Sequence, residues 1–272
     1  MLEAVLMLWF TLTAASVLFV ALDIQHTPAH PVLKWGFILL TAYFGPIGAA
    51  LYVFGCRRQT PEEHARFVAE PWRQVLGSTM HCVAGDGVGI LTGAVIAALV
   101  ALPLLAEVTL EYVLGFAFGW TIFQALFMRD MFGGSYRESL ERTFVPELLS
   151  MNCLMGGMIP VAVLAWRGVP EAYDPTHGLF WFRMSIALMV GFAVAYPMNW
   201  WLVTNHLKHG MITVPAPESA QAAASSKGQA PAKETGGMKM GPTVPKERIW
   251  IMAAVSFAVL GLGLLIGFAT RG

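Results

Sequence analysis

The sequence predicts an all-α, polytopic membrane protein: a body of six helices followed by one appended C-terminal transmembrane helix. Hydrophobic residues make up 56% of the 272 residues and charged residues only 12%, and the mean hydropathy is +0.61. Apolar stretches near the roughly 20 residues that cross a bilayer as a helix recur along the chain. The 17 basic and 17 acidic residues form no basic block. The expected surroundings are therefore a lipid bilayer, and nucleic acid is excluded as a partner.

Seven apolar stretches are predicted to cross the membrane, and they divide the chain into segments. The crossings are expected at about 2–22, 33–55, 80–105, 108–128, 144–166, 178–204 and 249–269. The segments are an N-terminal two-helix hairpin at 1–55, a cytoplasmic interfacial helix at 56–79, a four-helix core at 80–211, a linker at 212–248 and a C-terminal transmembrane helix at 249–272.

Two polar segments have their own signatures. In the interfacial segment, Thr60-Pro61-Glu62-Glu63 is a helix start signal followed by mixed charge. Its histidine, His64, is interpreted as solvated. The linker consists largely of Ala, Ser, Pro, Gly and Lys, which cannot bury enough apolar surface to offset ordering, so it is predicted to be disordered.

The distribution of Lys and Arg predicts the orientation. Of the 17 basic residues, thirteen fall in the loops after the second, fourth and sixth predicted crossings. The positive-inside rule then places the N-terminus in the cytoplasm and the C-terminus outside. The expected location is the inner (plasma) membrane of the cell, as a multi-pass protein.

Ionisable residues inside these apolar stretches are the candidate site, because a charge in hydrocarbon is costly and is usually functional. His81, Cys82 and Asp86 lie in the third predicted crossing, Glu147 in the fifth and Asn199 in the sixth, all at the cytoplasmic depth. Cys82 and Asp86 share a helix face, whereas His81 is about 140° away from Asp86 on an ideal helix. Glu147, Met151 and Met155 also share a face.

Imidazole, thiolate and thioether groups suit copper and other soft ions, whereas carboxylates and amides suit harder ones. The metal is therefore unknown, with copper or another transition-metal ion as the candidate cofactor. The predicted ligands are His81, Cys82, Asp86, Glu147, Met151, Met155 and Asn199.

Structural interpretations stand beside this hypothesis. Asp86 is equally explained by a hydrogen-bonding partner between helices, and the methionines by adaptable packing. Asn199 is explained by the backbone carbonyl that Pro197 frees. His206 and His209, next to Lys208, are expected among the lipid headgroups.

Glycines recur every fourth residue in the third and fourth predicted crossings. Such faces let helix backbones approach closely, and they are candidate surfaces for a membrane-protein partner as well as for packing within the chain. The residues are Gly85, Gly89 and Gly93, followed by Gly115 and Gly119.

Three motifs stand out between roughly Trp72 and Met211: MHCVAGDGVG, the Glu147 segment FVPELLSMNCLMGGM and the Tyr-Pro-x-Asn-Trp-Trp ending of the sixth crossing. Over this range the chain resembles the family known as DUF4396, uncharacterised bacterial integral membrane proteins. Relatives carry a second cysteine after the His-Cys pair, where this chain has Asp86 and Gly89, so a thiolate pair is lost. The resemblance implies no established activity, but an association with copper-handling genes favours a soft metal.

Together these observations favour a membrane protein that binds a soft cation such as copper and moves it or hands it over. The alternative is a scaffold or assembly subunit whose polar cluster only fixes helix packing. No nucleophile elbow, phosphate-binding loop or dinucleotide fingerprint occurs. An enzyme is therefore the weaker hypothesis, and no catalytic or cofactor-binding residue is predicted.

Overall fold

The computed structural model describes residues 1–126, 129, 134–214 and 244–269. The helices are α1 Leu2–Asp23, α2 Pro31–Phe44, α3 Pro46–Gly55, α4 Pro61–Val68, α5 Pro71–Leu99, α6 Leu104–Phe118, α7 Tyr136–Leu164, α8 Gly178–Thr204 and α9 Lys246–Ala269. After α6 the chain continues in wider, π-helical turns over Gly119–Leu126. Six of these helical stretches, those of α1 and α5 to α9, are long and apolar enough to cross a membrane. The prediction of an all-α polytopic membrane protein is confirmed.

Local sequence explains where several helices begin. Proline occupies the first position of four of them, where its missing N–H has no intrahelical acceptor to lose and its fixed φ already suits a helix. Thr60 caps α4 by accepting from the Glu63 N–H at 3.3 Å. Ser135 caps α7 in the same way by accepting from the Glu138 N–H at 3.2 Å.

The predicted crossing at 33–55 is wrong, because the chain turns back within it. Gly45 has φ +57° between α2 and α3, and Pro46 starts the second helix. A Cβ on Gly48 would lie 2.6 Å from the Cα of Thr41, so α3 folds back against α2. The two helices, 14 and 10 residues long, are also shorter than a crossing requires. They form a re-entrant hairpin.

Both ends of this hairpin lie at one end of the bundle, which we call the basic end. There Arg57, after α3, is paired with Asp23 of α1 at 2.7 Å. The His30 N–H, before α2, donates to the Ile212 carbonyl, after α8, at 3.2 Å. His64 of α4 contacts the Thr213 hydroxyl at 2.7 Å. The segments after α1, α3 and α8 therefore meet at this end.

The opposite end of the bundle holds both the start of α1 and the end of α9. Phe10 of α1 packs near Gly178, the first residue of α8. Helix α9 runs parallel to α7: Ser256 is bonded to Asn152, and Gly267 packs on Ile159 farther along. The start of α1 and the end of α9 thus lie at the same end of the bundle, and the orientation of the two ends of the chain relative to the membrane stays a prediction.

The glycine faces are occupied within the chain. A Cβ on Gly89 would overlap the Leu114 carbonyl, and a Cβ on Gly93 would lie 2.9 Å from the Cα of Glu111, so α5 and α6 touch through their backbones. Gly156 of α7 receives α9 in the same way through Gly263. These surfaces pack helices of one chain together, as the sequence pattern predicts.

The predicted linker at 212–248 falls mostly outside the described residues. Its first residues are docked, since Thr213 bridges to Ala29 and the Val214 N–H donates to the Pro28 carbonyl at 2.8 Å. Helix α9 already begins at Lys246. In the segment predicted to be an interfacial helix, the structure has the short helix α4, and residues 71–79 form the first turns of α5.

Candidate cation site in the helix core

Two carboxyl groups meet at the centre of the bundle. Asp86 of α5 and Glu147 of α7 are both 0% exposed and interact carboxyl to carboxyl. Gly119, in the π-helical turns after α6, makes room for them. A Cβ there would overlap Asp86 Oδ1 and lie 3.0 Å from Glu147 Oε1. Glycine at this position is therefore a requirement of the carboxyl pair.

A lysine and a thiol complete the cluster around Glu147. The Lys208 ammonium donates to Glu147 Oε2 at 3.0 Å, and the Cys82 thiol donates to the same oxygen at 3.2 Å. The Gln124 amide in turn donates to Cys82 Sγ at 3.0 Å. Each of these side chains is at least 98% buried. We call Cys82, Asp86, Glu147 and Lys208 the core cluster.

The end of α8 explains how Lys208 reaches the core. His206 has φ +57°, a conformation in which glycine is the usual residue. The Leu207 N–H donates to the Leu202 carbonyl at 2.9 Å and the His206 N–H to the Val203 carbonyl at 3.1 Å. This is a Schellman motif, which ends a helix and reverses the chain. The reversal points Lys208 and His209 back into the bundle.

Burial and neighbouring groups shift the pKa values of both side chains. Burial lowers the pKa of Lys208, but Cys82 and Glu147 raise it, and the net pKa lies above the ordinary value of lysine. The contacts with Glu147 and Cys82 thus favour the charged ammonium form of Lys208. Burial lowers the pKa of His209 to about 4, with Lys208 contributing in the same direction, so its imidazole is neutral near pH 7.

His81 faces away from the core cluster. Its Nε2 lies 2.9 Å from the Phe123 carbonyl and its Nδ1 lies 3.0 Å from Nε2 of His209. Because a carbonyl only accepts, Nε2 of His81 is the donor in its contact with Phe123. Both imidazoles are buried. The divergence agrees with the 140° separation expected on an ideal helix.

Polar atoms of the carboxyl pair remain without partners. Three oxygens make no hydrogen bond of good geometry among the described residues: both oxygens of Asp86, and Oε1 of Glu147. If both carboxyls are ionised, the single ammonium of Lys208 leaves the core cluster one positive charge short. Buried unpaired polar groups are rare and costly, so each one calls for an explanation.

The remaining predicted ligands lie around this centre. Asn199 donates to Ser150 Oγ at 2.9 Å and to the Ala195 carbonyl at 3.1 Å, which links α7 to α8. The Met151 methyl packs at Gly115, whose Cβ position is 3.3 Å from the Asp86 carbonyl. Met155 is 0% exposed in the apolar core. Asn199 thus makes hydrogen bonds between two helices, and both methionines lie in the packed core.

The seven predicted ligands thus share one region without converging on one point. Among the described residues, no group of three or more His, Cys, Asp or Glu side chains is arranged to hold a metal. Their role as metal ligands stays a prediction.

Sequence reasoning missed Lys208, His209 and Gln124. The expectation that His209 lies among headgroups is wrong, since it is only 2% exposed. His64, expected to be solvated, is 0% exposed and lies between Cys56 at 3.4 Å and Thr213. For Lys208 and His209, the sequence signal was the Asn-His-Leu-Lys-His-Gly run directly after α8. A turn in this run can reverse the chain and direct its basic side chains back toward the helices.

Comparison with known proteins adds a family. The family model described as "Domain of unknown function (DUF4396)" matches residues 71–208. The matched segment begins at the first residue of α5 and ends at Lys208, so it holds the complete core cluster. No curated protein and no solved structure shows significant similarity to the chain.

Proposed function

Because the chain belongs to the DUF4396 family over residues 71–208, which contain the core cluster, we propose that this membrane protein binds one small monovalent cation at Asp86 and Glu147 and carries it through the bundle. The observation that supports this most directly is the charge of the cluster. The Asp86 oxygens make no hydrogen bond of good geometry among the described residues, and when both carboxyls are ionised Lys208 can neutralise only one of them. One further positive charge would balance the site.

The chemistry around the carboxylates favours two kinds of monovalent cation. The first is Cu(I), which suits the Cys82 thiol and the thioethers of Met151 and Met155. If the bound cation is copper, we propose that it is Cu(I). A proton shared by the carboxyl pair suits the contact of Asp86 with Glu147. In both forms Lys208 acts as a tethered counter-ion, which competes with the bound cation for Glu147.

The basic end is proposed to face the cytoplasm. Arg57, Arg58, Arg66 and Arg73 lie there, as do the residues after α8, and the positive-inside rule applies to such short loops. Both ends of the chain would then lie on the outer side of the membrane. The membrane is proposed to be the inner (plasma) membrane of the cell. The cation would travel between the outer side and the cytoplasmic face, where Lys208 closes the site.

The test uses purified protein in detergent. Cu(I) is titrated against a competing chelator, and bound copper is counted per chain. We expect one Cu(I) per chain in the wild type, and at least tenfold weaker binding in Asp86→Asn and in Cys82→Ser. Lys208→Met should bind more tightly, because the internal competitor is gone. Glu111→Gln removes a buried carboxyl that lies beside Gly93, about two turns of α5 from Asp86, and should leave binding unchanged.

The same variants separate the alternatives. If no copper binds, but vesicles containing the protein collapse a pH gradient and Asp86→Asn vesicles do not, the cation is a proton. If neither measurement responds to Asp86→Asn, the protein is a scaffold in which the core cluster only fixes helix packing, and the proposal fails.

A further inference from the structure

A second group of charged side chains is buried near the end of the bundle opposite the basic end. Glu107 and Glu111 lie about one turn apart on α6, and Arg183 lies near the start of α8. The exposed fraction is 2% for Arg183 and 6% for Glu111, and it is 19% for the Glu107 side chain. We call these three residues the second cluster.

The second cluster is separate from the core cluster. A Cβ on Gly93 would lie 2.9 Å from the Cα of Glu111, and Gly93 lies about two turns along α5 from Asp86. The stretch of α5 around this contact, residues 87–99, contains no ionisable side chain. No charged group of α5 therefore faces Glu111.

The guanidinium of Arg183 is held only by long contacts. Its Nη2 lies 4.0 Å from Glu107 Oε1 and 3.6 Å from Met184 Sδ, and its Nη1 lies 3.5 Å from the Ala162 carbonyl. Its Nε makes no hydrogen bond among the described residues. The ring of Tyr173, 4.3 Å from Cζ, attracts the charge through its face. The donors of Arg183 are thus not committed to one carboxylate, as they are in a tight pair.

Glu111 has charged neighbours but no bonded partner. Glu107 and Arg183 are the charged groups within electrostatic range of its carboxyl. No hydrogen bond or close ion pair joins Glu111 to another described residue. Tyr112, the next residue on α6, directs its hydroxyl to Asn152 Oδ1 at 2.6 Å. Buried carboxyls in this condition are rare and costly.

The charges of the second cluster do not balance when both carboxyls are ionised. Arg183 carries one positive charge and faces two carboxyl groups. A hard metal ion requires about six oxygen ligands, which is more than two carboxyls supply beside a guanidinium. A proton requires one carboxyl oxygen. A proton is therefore the cation that fits this site.

We propose that Glu111 is a proton-binding site near the end of the bundle opposite the basic end, and that Arg183 is its counter-ion, shared with Glu107. When Glu111 binds a proton, Arg183 pairs with Glu107 alone. When the proton returns to water, the guanidinium is drawn toward Glu111. Arg183 belongs to α8 and the two carboxyls to α6, so this exchange of partners couples protonation to the contact between the two helices.

This inference goes beyond the proposed function, because it concerns a different group of residues. Glu107 lies in the first turn of α6 and is the most exposed member of the second cluster, so it lies between Glu111 and the end of the bundle. Protons reach Glu111 from that end, and no step passes through the core cluster.

An apolar carbodiimide provides the test, because it enters detergent micelles and reacts with a protonated carboxyl but not with a carboxylate. The proton passes to a carbodiimide nitrogen, the carboxyl oxygen bonds to the central carbon, and rearrangement leaves a stable N-acylurea. Purified full-length protein is treated with dicyclohexylcarbodiimide at a series of pH values. Mass spectrometry of peptides gives the rate of labelling at Glu111.

Labelling of Glu111 should be found in the wild type and should slow as the pH rises. Arg183→Met removes the counter-ion, so the midpoint of this change should move to higher pH by at least about one unit. Glu107→Gln leaves Arg183 to Glu111 alone, so the midpoint should move to lower pH. Arg167→Met is the matched control: it removes an exposed arginine after α7, at the same end of the bundle, and should leave the midpoint unchanged.

Several outcomes overturn the inference. Absence of labelling at Glu111, or labelling that does not change with pH, removes the proton site. Shifts of the same sign in Arg183→Met and Glu107→Gln, or an equal shift in Arg167→Met, remove the role of Arg183. If Arg183→Met does not fold, the downward shift in Glu107→Gln still decides.

A final comparison separates a proton from a metal ion. Sodium chloride at constant pH should slow the labelling of Glu111 no more than choline chloride at the same concentration. Slower labelling with sodium alone would show that Na⁺ occupies the site and would overturn the proposal. Labelling at Glu111 is measured separately from copper bound at the core cluster, so this inference and the proposed function fail independently.

Discussion

The Lys208 ammonium lies 3.0 Å from Glu147 Oε2, and neither side chain has meaningful access to solvent, with 2% and 0% exposed. A buried ion pair of this kind is weak evidence for stability by itself, because both charges lose their hydration. Removing one partner is different, since the other charge is left buried and uncompensated.

Lys208→Met should therefore lower the free energy of unfolding by about 3–5 kcal/mol. The variant leaves two buried carboxylates with no cation. In Lys208→Met/Glu147→Gln, part of the loss should return, with a coupling of at least roughly 0.5 kcal/mol. Thermal unfolding in detergent measures both. Lys246→Met, at an exposed lysine, is the control and should change little. Strictly additive losses in the double variant would contradict a direct pairing.

Stability should also depend on pH through His64. Burial lowers the pKa of His64 to about 4, and Arg58 adds to the effect, whereas an unfolded histidine titrates near 6.5. Between these values the unfolded chain binds more protons, so stability rises with pH. The contribution of His64 is fully present above about 6.5 and is lost as the pH falls toward 4.

The full effect is on the order of 3 kcal/mol. His209 adds in the same window, because its pKa is also lowered to about 4. Unfolding temperatures recorded from pH 4 to 8 should therefore rise through this window, and His64→Gln should flatten part of the rise. An unchanged slope in His64→Gln would mean that His64 is not the titrating group.

The contact between α5 and α6 can be tested with a matched pair of glycine variants. Gly89→Val places a side chain against the Leu114 carbonyl, whereas Gly261 of α9 has nothing within 4 Å of its Cβ position. We expect Gly89→Val to destabilise by about 1–3 kcal/mol or more, and Gly261→Val to be nearly neutral. Equal unfolding temperatures for the two variants would show that α5 and α6 do not touch at Gly89.

Six crossings predict where the ends of the chain lie. Reporter domains fused before Met1 and after Gly272 should both be active outside the cell, and a reporter inserted after Thr213 should be active in the cytoplasm. The reason is that α1 begins and α9 ends at the end away from the basic loops. A cytoplasmic signal from either end of the chain would contradict the re-entrant hairpin.

Composition and length were enough to predict the class and the six helical stretches that are long and apolar enough to cross a membrane. They failed at 33–55, because hydropathy counts apolar residues and does not register that Gly45 and Pro46 together permit a full reversal. Helical spacing correctly separated His81 from Cys82 and Asp86. It could not predict Lys208, since that residue enters the site through a left-handed turn at His206 and not through a helix face.

Asn199 and the methionines show a second limit. Residue type and depth bring Asn199 into the same region as Asp86, but the direction of its amide depends on Ser150 of another helix. Contacts between distant segments decide such details, and spacing within one segment carries no information about them.

Sequence separation within the core cluster has a consequence for synthesis. Glu147 and its counter-charge Lys208 are 61 residues apart. At a translation rate of about 5–20 residues per second, roughly 3–12 s pass between them. During that interval α5 and α7 can already be in the membrane with Asp86 and Glu147 and no lysine. The nascent chain must therefore keep these carboxyls protonated or near water until the end of α8 emerges, so the last loop of the family domain determines when its core can close.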